Sequence, residues 1–275
     1  MLAQYALESD ALLFNFHDAQ SWIKRKRKPD YTEANDYHRA QHIDRVKEDI
    51  YDFPERSQSW LKNFLLANKS VLEKHDLKLK KQVDWTRKDF SPVGTPWLEI
   101  INFGIERIKY ANDIIGILLR EARLSSIEND IPFYLMIDGV NFLWIRSTIM
   151  MDHNTRKLIG IDRFSIVHHL KRALCADWTK GAVICSTNPR CSWPTDREEY
   201  NPGYLLTKEG FEYLDPFIPV KVNPITETEL LAMMSFYSNN KWLTKPEAFT
   251  QEGLNQIRFI SDGNMRELFS LVAEW

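Results

Sequence analysis

The sequence has little cysteine, no glycine–lysine pair and no long apolar run. Three cysteines among 275 residues, without C-x-x-C spacing, argue against a disulfide framework or a zinc site and fit a reducing compartment. No stretch approaches the about 18 apolar residues of a membrane span, so we expect no membrane insertion. None of the ten glycines precedes lysine, so these residues contain no phosphate-binding loop of the form G-x-x-x-x-G-K-[ST].

Short apolar runs alternate with helical patterns along most of the chain. Four runs have the branched and aromatic composition of buried parallel strands: residues 11–16, 133–138, 181–187 and 217–222. Apolar residues at helical spacing predict helices over about 57–74, 97–122 and 162–177. Helices that alternate with buried strands predict an α/β fold with right-handed crossovers.

The strand pattern stops after Pro224. Thr226 followed by Glu229 forms the capping-box pattern that starts a helix, and further helices are expected near Thr250 and after Gly263. We therefore expect two domains, an α/β core over residues 1–224 and a small helical domain over residues 225–275.

Asp138 ends the apolar run FYLMID and is followed by Gly139. Doubly wound sheets bind ligands at the carboxyl ends of their strands, where such a carboxylate holds Mg²⁺ over the phosphates of a nucleotide. Asp-Gly is equally ordinary turn chemistry, and the pattern alone leaves both interpretations open. Most ATP hydrolases of this kind place a glutamate at the next position to activate water. Gly139 therefore argues against catalysis.

Polar residues elsewhere are weaker candidates, each with a structural alternative. Ser186, Thr187 and Asn188 end the next predicted strand, where such residues either cap the strand or sense a phosphate. Arg266, in the segment SDGNMRELF, matches an arginine that reaches back to the nucleotide in related ATPases. The alternative for Arg266 is a solvated helix cation, which a single short match does not exclude.

The densest charge in the chain is basic. Lys24, Arg25, Lys26, Arg27 and Lys28 are consecutive, in a chain whose net charge is −2. Such a run contacts the phosphate backbone of a nucleic acid, or it is a solvated face near a helix C-terminus. The run alone leaves both interpretations open.

Four segments, in order and at comparable spacing, carry a family resemblance: SWLKNF (59–64), IDGVNFLW (137–144), DWTKGAVI (177–184) and KEGFEYLDPFIPVKV (208–222). Together they resemble the death-associated protein 3 family over nearly the whole chain, and LDPFIPV is the most specific block. The resemblance implies a GTP-binding component of the small subunit of the mitochondrial ribosome. It therefore implies a mitochondrial location, with ribosomal RNA and ribosomal proteins as partners.

The resemblance also implies a fold, a P-loop NTPase-like parallel sheet with flanking helices and a C-terminal helical lid. Asp138 matches the family's Walker B position, which binds Mg²⁺ when nucleotide is present, and Asn188 and Arg266 complete the predicted nucleotide site. The family's first strand and phosphate loop precede the part that matches here. We therefore expect an incomplete family fold, from a truncated isoform or an incomplete gene model, with impaired GTP binding and two facing strand edges left unpaired.

The sequence thus predicts a structural component of the mitochondrial small ribosomal subunit that is not an enzyme. The five basic residues from Lys24 to Lys28 are its predicted contact with ribosomal RNA. The alternative is a nucleotide-dependent switch of the STAND type in apoptotic signalling. The glycine at position 139, in place of a glutamate, counts against that alternative.

Overall fold

The computed structural model describes residues 2–19, 21–24, 50–128, 131–145, 147–151, 157–174, 178–189 and 201–274. The chain divides into two compact units, Met1–Asp215 and Pro216–Trp275. The predicted domains divide at 224 instead, within the second unit. That the second unit acts as a lid stays a prediction.

The first unit is built around a parallel sheet of three strands. The described strands of this unit are β1 Leu12–Phe16, β2 Val83–Asp84, β3 Phe90–Ser91, β4 Phe133–Asp138, β5 Ser147–Met151, β6 Leu158–Gly160 and β7 Gly181–Ser186. The order within the parallel sheet is β1-β4-β7. Two antiparallel ribbons, β2-β3 and β5-β6, lie outside the parallel sheet. The α/β fold with a parallel sheet and flanking helices is confirmed.

Nine helices are described in this unit: α1 Leu2–Glu8, α2 Ser21–Lys24, α3 Pro54–Ala67, α4 Lys69–Lys74, α5 Trp97–Glu106, α6 Ala111–Glu128, α7 Ser165–Leu174, α8 Pro202–Leu205 and α9 Thr207–Leu214. Short 3₁₀ turns span Ile108–Tyr110, Val140–Trp144 and Ile161–Arg163. No described helix is both long enough and apolar enough to cross a membrane.

Aromatic packing joins α3 to the sheet. Trp60 and Phe64, one helical turn apart, project from the same face of α3, because residues at i and i+4 lie above one another. The Phe64 ring centroid lies 4.8 Å from that of Phe14, and the Trp60 centroid lies 4.8 Å from that of Phe16. All four side chains are buried, so this helix fixes one face of β1.

Two predicted helices are each interrupted in the structure, and both breaks serve packing. The helix predicted over 57–74 ends at Ala67, because Asn68 turns its buried side chain towards the backbone of β1. The helix predicted over 97–122 stops at Arg107, whose ψ of 78° is not helical. That break brings the rings of Phe103 and Tyr110 together, 5.5 Å apart, against Trp85.

The second unit is helical, with α10 Glu227–Asn239, α11 Gln251–Ser261, α12 Met265–Glu274 and a 3₁₀ turn Pro246–Phe249. Its own apolar core includes Leu230, Met234, Tyr237, Ile257 and Leu268. The predicted capping box is confirmed, since Thr226 and Glu229 exchange both of its hydrogen bonds.

The strand predicted over 217–222 is wrong. Residues 215–226 contain no regular secondary structure, and the side chains of Ile218 and Val222 are each 89% exposed. A strand needs a neighbouring strand to accept its hydrogen bonds, and none of the described residues pairs with this segment. Pro219 also lacks the N–H that a ladder requires.

β7 lies at one edge of the described parallel sheet. The carbonyls of Lys180, just before β7, and of Ser186, its last residue, accept hydrogen bonds from the side of β4. Because strand residues alternate, the backbone groups of Val183 and Cys185 point the other way. No other described strand pairs with that side of β7. Within the described part of the chain, that side of β7 is therefore an edge of the sheet, and the expected pair of facing unpaired strand edges stays a prediction.

Candidate functional site

The candidate site lies where β4 and β7 end side by side. Asp138 and Ser186 are register partners in the parallel ladder, so their side chains leave the sheet at the same height. The Ser186 hydroxyl donates a hydrogen bond to Oδ1 of Asp138. Both residues are exposed. The geometry therefore brings together the first two polar residues that the sequence singles out.

Backbone hydrogen bonds hold the end of β4 from both sides. The Asp138 carbonyl accepts from the Ala19 N–H at 3.0 Å, in the turn after β1. On the other side, the Gly139 N–H donates to the Ser186 carbonyl at 3.0 Å and to the Ser186 hydroxyl at 3.2 Å. The position of the Asp138 carboxylate is thus fixed by the sheet itself.

Gly139 adopts a left-handed conformation with φ of 79° and ψ of 41°. This turn directs the chain from β4 into the buried 3₁₀ turn Val140–Trp144. A side chain at such a position costs about 1–2 kcal/mol. The backbone therefore disfavours glutamate at the place where an ATP hydrolase would carry its catalytic base.

Asn141 is a residue that sequence reasoning missed. Its side-chain Nδ2 donates to the Asn188 carbonyl at 3.0 Å, and its Oδ1 accepts from the Asn188 N–H at 2.9 Å. Both asparagines are buried. The only sequence signal is an asparagine inside the apolar run VNFLW, where a buried amide must find hydrogen-bond partners.

The Asn141–Asn188 pair joins the segment after β4 to the segment after β7. It places Asn188 at the same edge of the sheet as Asp138, although its backbone is already bound by Asn141. Whether the Asn188 side chain contacts a nucleotide stays a prediction. The structural role of the pair is to hold the two strand ends together.

The remaining predicted residues lie elsewhere. Arg266 is on α12 of the second unit, and its side chain is outside the described part of the structure. Lys24 ends α2, while Arg25, Lys26, Arg27 and Lys28 lie outside the described residues. The structure therefore does not test the predicted RNA contact or the role of Arg266.

The family profile described as "Mitochondrial ribosomal death-associated protein 3" matches residues 1–271. The chain belongs to this family. It is 30% identical over 269 residues to the mouse (Mus musculus) "Small ribosomal subunit protein mS29", covering 98% of this chain and 65% of the mouse protein. To the cattle (Bos taurus) protein of the same name it is 29% identical over 263 residues, covering 96% of this chain and 62% of that protein. The chain thus spans less than two thirds of these relatives.

The family resemblance implies GTP and Mg²⁺, and the residues at the sheet edge can be compared with that requirement. Mg²⁺ in nucleotide sites is held by one or two carboxylates together with phosphate oxygens. Asp138 could supply one such ligand, and within the described ranges no group of three acidic, histidine or cysteine side chains could hold a metal ion. With no glycine–lysine pair in the sequence, the phosphates lack their usual amide cradle and lysine. The residues present do not by themselves fit GTP.

Proposed function

We propose that this chain is a structural component of the mitochondrial small ribosomal subunit and that it acts inside mitochondria. The family match over residues 1–271 carries the proposal. The names of the mouse and cattle relatives support it, since both are called small ribosomal subunit proteins. Its partners would be ribosomal RNA and neighbouring ribosomal proteins.

The proposal includes no catalytic role, and the geometry around Asp138 supports that part. The next residue, Gly139, has a φ of 79°, so a general base at that position would carry backbone strain. Asp138 itself accepts the Ser186 hydroxyl, which suits a carboxylate that orders a strand end. General-base catalysis needs a group within hydrogen-bond reach of the attacking water. If Asp138 binds Mg²⁺, a second carboxylate would have to serve as the base, and neither Gly139 nor Ser186 supplies one.

Nucleotide is proposed to bind weakly or not at all. Asp138 contributes to binding only through Mg²⁺, and the grip on the β- and γ-phosphates in P-loop proteins comes from backbone N–H groups and a lysine. The absence of these phosphate-binding groups also disfavours the STAND-type switch, because a nucleotide switch must discriminate between bound nucleotides. The basic run of Lys24, Arg25, Lys26, Arg27 and Lys28 remains the predicted RNA contact under this proposal.

Sedimentation tests the proposal. The tagged chain is added to a mitochondrial extract, which is then fractionated on a sucrose gradient. We expect the tag to migrate with the small ribosomal subunit, and to move to the top of the gradient when the extract is first digested with ribonuclease. A tag that stays at the top of the gradient without digestion would contradict the proposed function.

A further inference from the structure

The ribbon of β2 and β3 ends in a tight, basic turn. The Thr86 hydroxyl accepts the N–H groups of Lys88 and Asp89 at 3.2 and 3.0 Å, and the Asp89 carbonyl accepts from Trp85 at 2.8 Å. These bonds fix the backbone that carries Arg87 and Lys88. Both of these side chains are exposed.

Trp85 anchors this turn to the rest of the unit. Its side chain is 2% exposed, and its Nε1 donates to the Ser91 hydroxyl at 2.9 Å. Its ring centroid lies 4.9 Å from Phe103 and 5.2 Å from Tyr110. One aromatic cluster therefore joins the ribbon to the end of α5 and to the turn before α6.

Two further cations lie over this cluster. The Arg107 guanidinium is 4.9 Å from the centroid of Phe103, and the Lys109 ammonium is 4.5 Å from the centroid of Tyr110. Both side chains are exposed. Cation–π contacts of this kind restrict long side chains, so less conformational entropy is lost when they bind an anion.

Among the described residues, no acid forms an ion pair with any of four cations, in contrast to Lys74 with Asp10 or Lys171 with Asp162. The four are Arg87, Lys88, Arg107 and Lys109. Residues 78–110 contain seven lysines and arginines and four acids, although the whole chain has a net charge of −2. The exposed cations of this region are Lys78, Lys81, Arg87, Lys88, Arg107 and Lys109, of which Lys78 pairs with Asp76. The region therefore keeps a positive excess, and its other exposed cations form no ion pair within the described part of the chain.

We propose that the surface formed by Arg87, Lys88, Arg107 and Lys109, together with Phe90, binds the phosphate backbone of RNA. We call it the basic hairpin surface. This proposal rests on the proposed function, because the RNA it invokes is ribosomal RNA. Its residues are distinct in sequence from the basic run that begins at Lys24. Phosphates along RNA attract clustered lysines and arginines whose counterions are released on binding.

An aromatic ring favours RNA over an acidic protein as the occupant. Phe90 is 56% exposed and is the first residue of β3, directly after the basic turn. Bases of single-stranded RNA stack on exposed aromatic rings while cations hold the backbone. Carboxylates on an acidic peptide would account for the cations of this surface but not for the exposed ring beside them.

The test measures RNA binding by the purified 275-residue chain. A labelled single-stranded RNA is titrated over a series of salt concentrations with the chain and with Arg87→Gln/Lys88→Gln. We expect weaker binding by the variant and a log–log salt slope that is shallower by about 0.7 per lost contact, or about 1.4 for the pair. The charge-preserving Arg87→Lys/Lys88→Arg variant should retain the wild-type slope.

The matched control is Lys62→Gln/Arg172→Gln, which removes one lysine and one arginine from exposed positions on α3 and α7. Its salt slope should equal that of the wild type. The inference is overturned if the hairpin variant also keeps the wild-type slope, if both variants flatten it equally, or if the wild-type chain does not bind RNA. Loss of binding to poly-glutamate but not to RNA would reassign the surface to an acidic protein.

The same proteins distinguish this inference from the proposed function. A wild-type chain that fails to co-sediment with the small subunit, while its hairpin variant shows the expected slope change, contradicts only the proposed function. A chain that co-sediments, with a hairpin variant that binds RNA as the wild type does, contradicts only the basic hairpin surface.

Discussion

The side-chain amide of Asn68 binds both backbone groups of Leu13. Its Oδ1 accepts the Leu13 N–H at 2.7 Å, and its Nδ2 donates to the Leu13 carbonyl at 3.0 Å. The Trp60 indole adds a hydrogen bond to the Asn15 carbonyl at 2.8 Å. These side chains take the place of a neighbouring strand and cover the outer edge of β1.

Replacing Asn68 by leucine should therefore lower the free energy of unfolding of the first unit by about 2–6 kcal/mol. The change leaves a buried N–H and a buried carbonyl of Leu13 without partners, each at a cost of about 1–3 kcal/mol. Urea denaturation followed by tryptophan fluorescence measures the effect. The control is Asn63→Leu, at an exposed position on α3, the helix that ends just before Asn68. It should change stability by less than about 0.5 kcal/mol.

The opposite edge of the sheet leads to a second prediction. Because the Val183 N–H points away from β4, Val183→Pro removes no hydrogen bond of the ladder, and proline is tolerated on such edges. Ile184→Pro removes an N–H that faces β4 and should cost at least about 1 kcal/mol more. Comparison of the two variants by urea denaturation checks this. Equal losses of stability would show that β7 is paired on both sides.

Much of this fold follows from the sequence, and the departures have physical causes. β1, β4 and β7 were predictable because apolar residues fill each run, and the helix at Glu227 because Thr226 and Glu229 are three residues apart. The breaks at Asn68 and Arg107 were not, since they depend on contacts with Leu13 and Trp85, distant in sequence. The apolar pattern of 217–222 predicts a strand, but pattern alone cannot supply a pairing partner.

Part of the candidate site was also predictable from the sequence. Asp138 and Ser186 were identified because they end consecutive apolar strands, and strand register places them side by side. Asn141 was missed, because a buried amide that bridges two loops has no fixed spacing in sequence. The aromatic contacts of Arg107 and Lys109 were also hidden, since they arise only after the helix breaks.

Gly139 provides a third prediction. Gly139→Ala should destabilise the chain by about 1–2 kcal/mol, because φ of 79° is unfavourable for any residue with a Cβ. Gly160→Ala is the matched control, since Gly160 has a φ of −64° and open space around its Cα. Thermal unfolding should show a lower midpoint for the first variant alone. A similar midpoint for both variants would contradict the assigned strain.

The capping box of α10 provides a fourth prediction. Hydrogen bonds from the Thr226 N–H and hydroxyl hold the pKa of Glu229 below its ordinary value of 4.5. A lowered pKa in the folded state adds stability above the ordinary pKa, and this stability is lost as the pH falls through the folded value. The stability difference between wild type and Glu229→Gln should therefore be largest at neutral pH and shrink in acid.

Thr226→Ala is the companion variant and should cost about 1 kcal/mol at neutral pH. The double variant should lose less than the sum of the two single variants, because the two side chains bind each other. Circular dichroism during thermal unfolding measures all four proteins. If the difference in stability between the wild type and Glu229→Gln does not vary with pH, the carboxylate does not have the role assigned to it here.

The last prediction concerns the nucleotide. Asp138 contributes to nucleotide binding only through Mg²⁺, and the phosphate grip of P-loop proteins comes from a glycine–lysine loop that is absent from this sequence. We therefore expect no GTP affinity tighter than about 1 mM, which corresponds to about 4 kcal/mol of binding free energy, and no GTPase activity. Isothermal titration with Mg-GTP measures the affinity, and a micromolar dissociation constant would contradict this prediction.

A fusion separates the role of Asp138 from that of the loop. Joining a strand and phosphate loop ahead of Leu2 supplies the missing amide groups and lysine, so GTP binding should appear. In that fusion, Asp138→Ala should weaken binding when Mg²⁺ is present and have little effect in its absence, because the carboxylate acts through the ion. If the fusion binds Mg-GTP equally well with alanine at position 138, the carboxylate serves only to accept the Ser186 hydroxyl at the end of the strand.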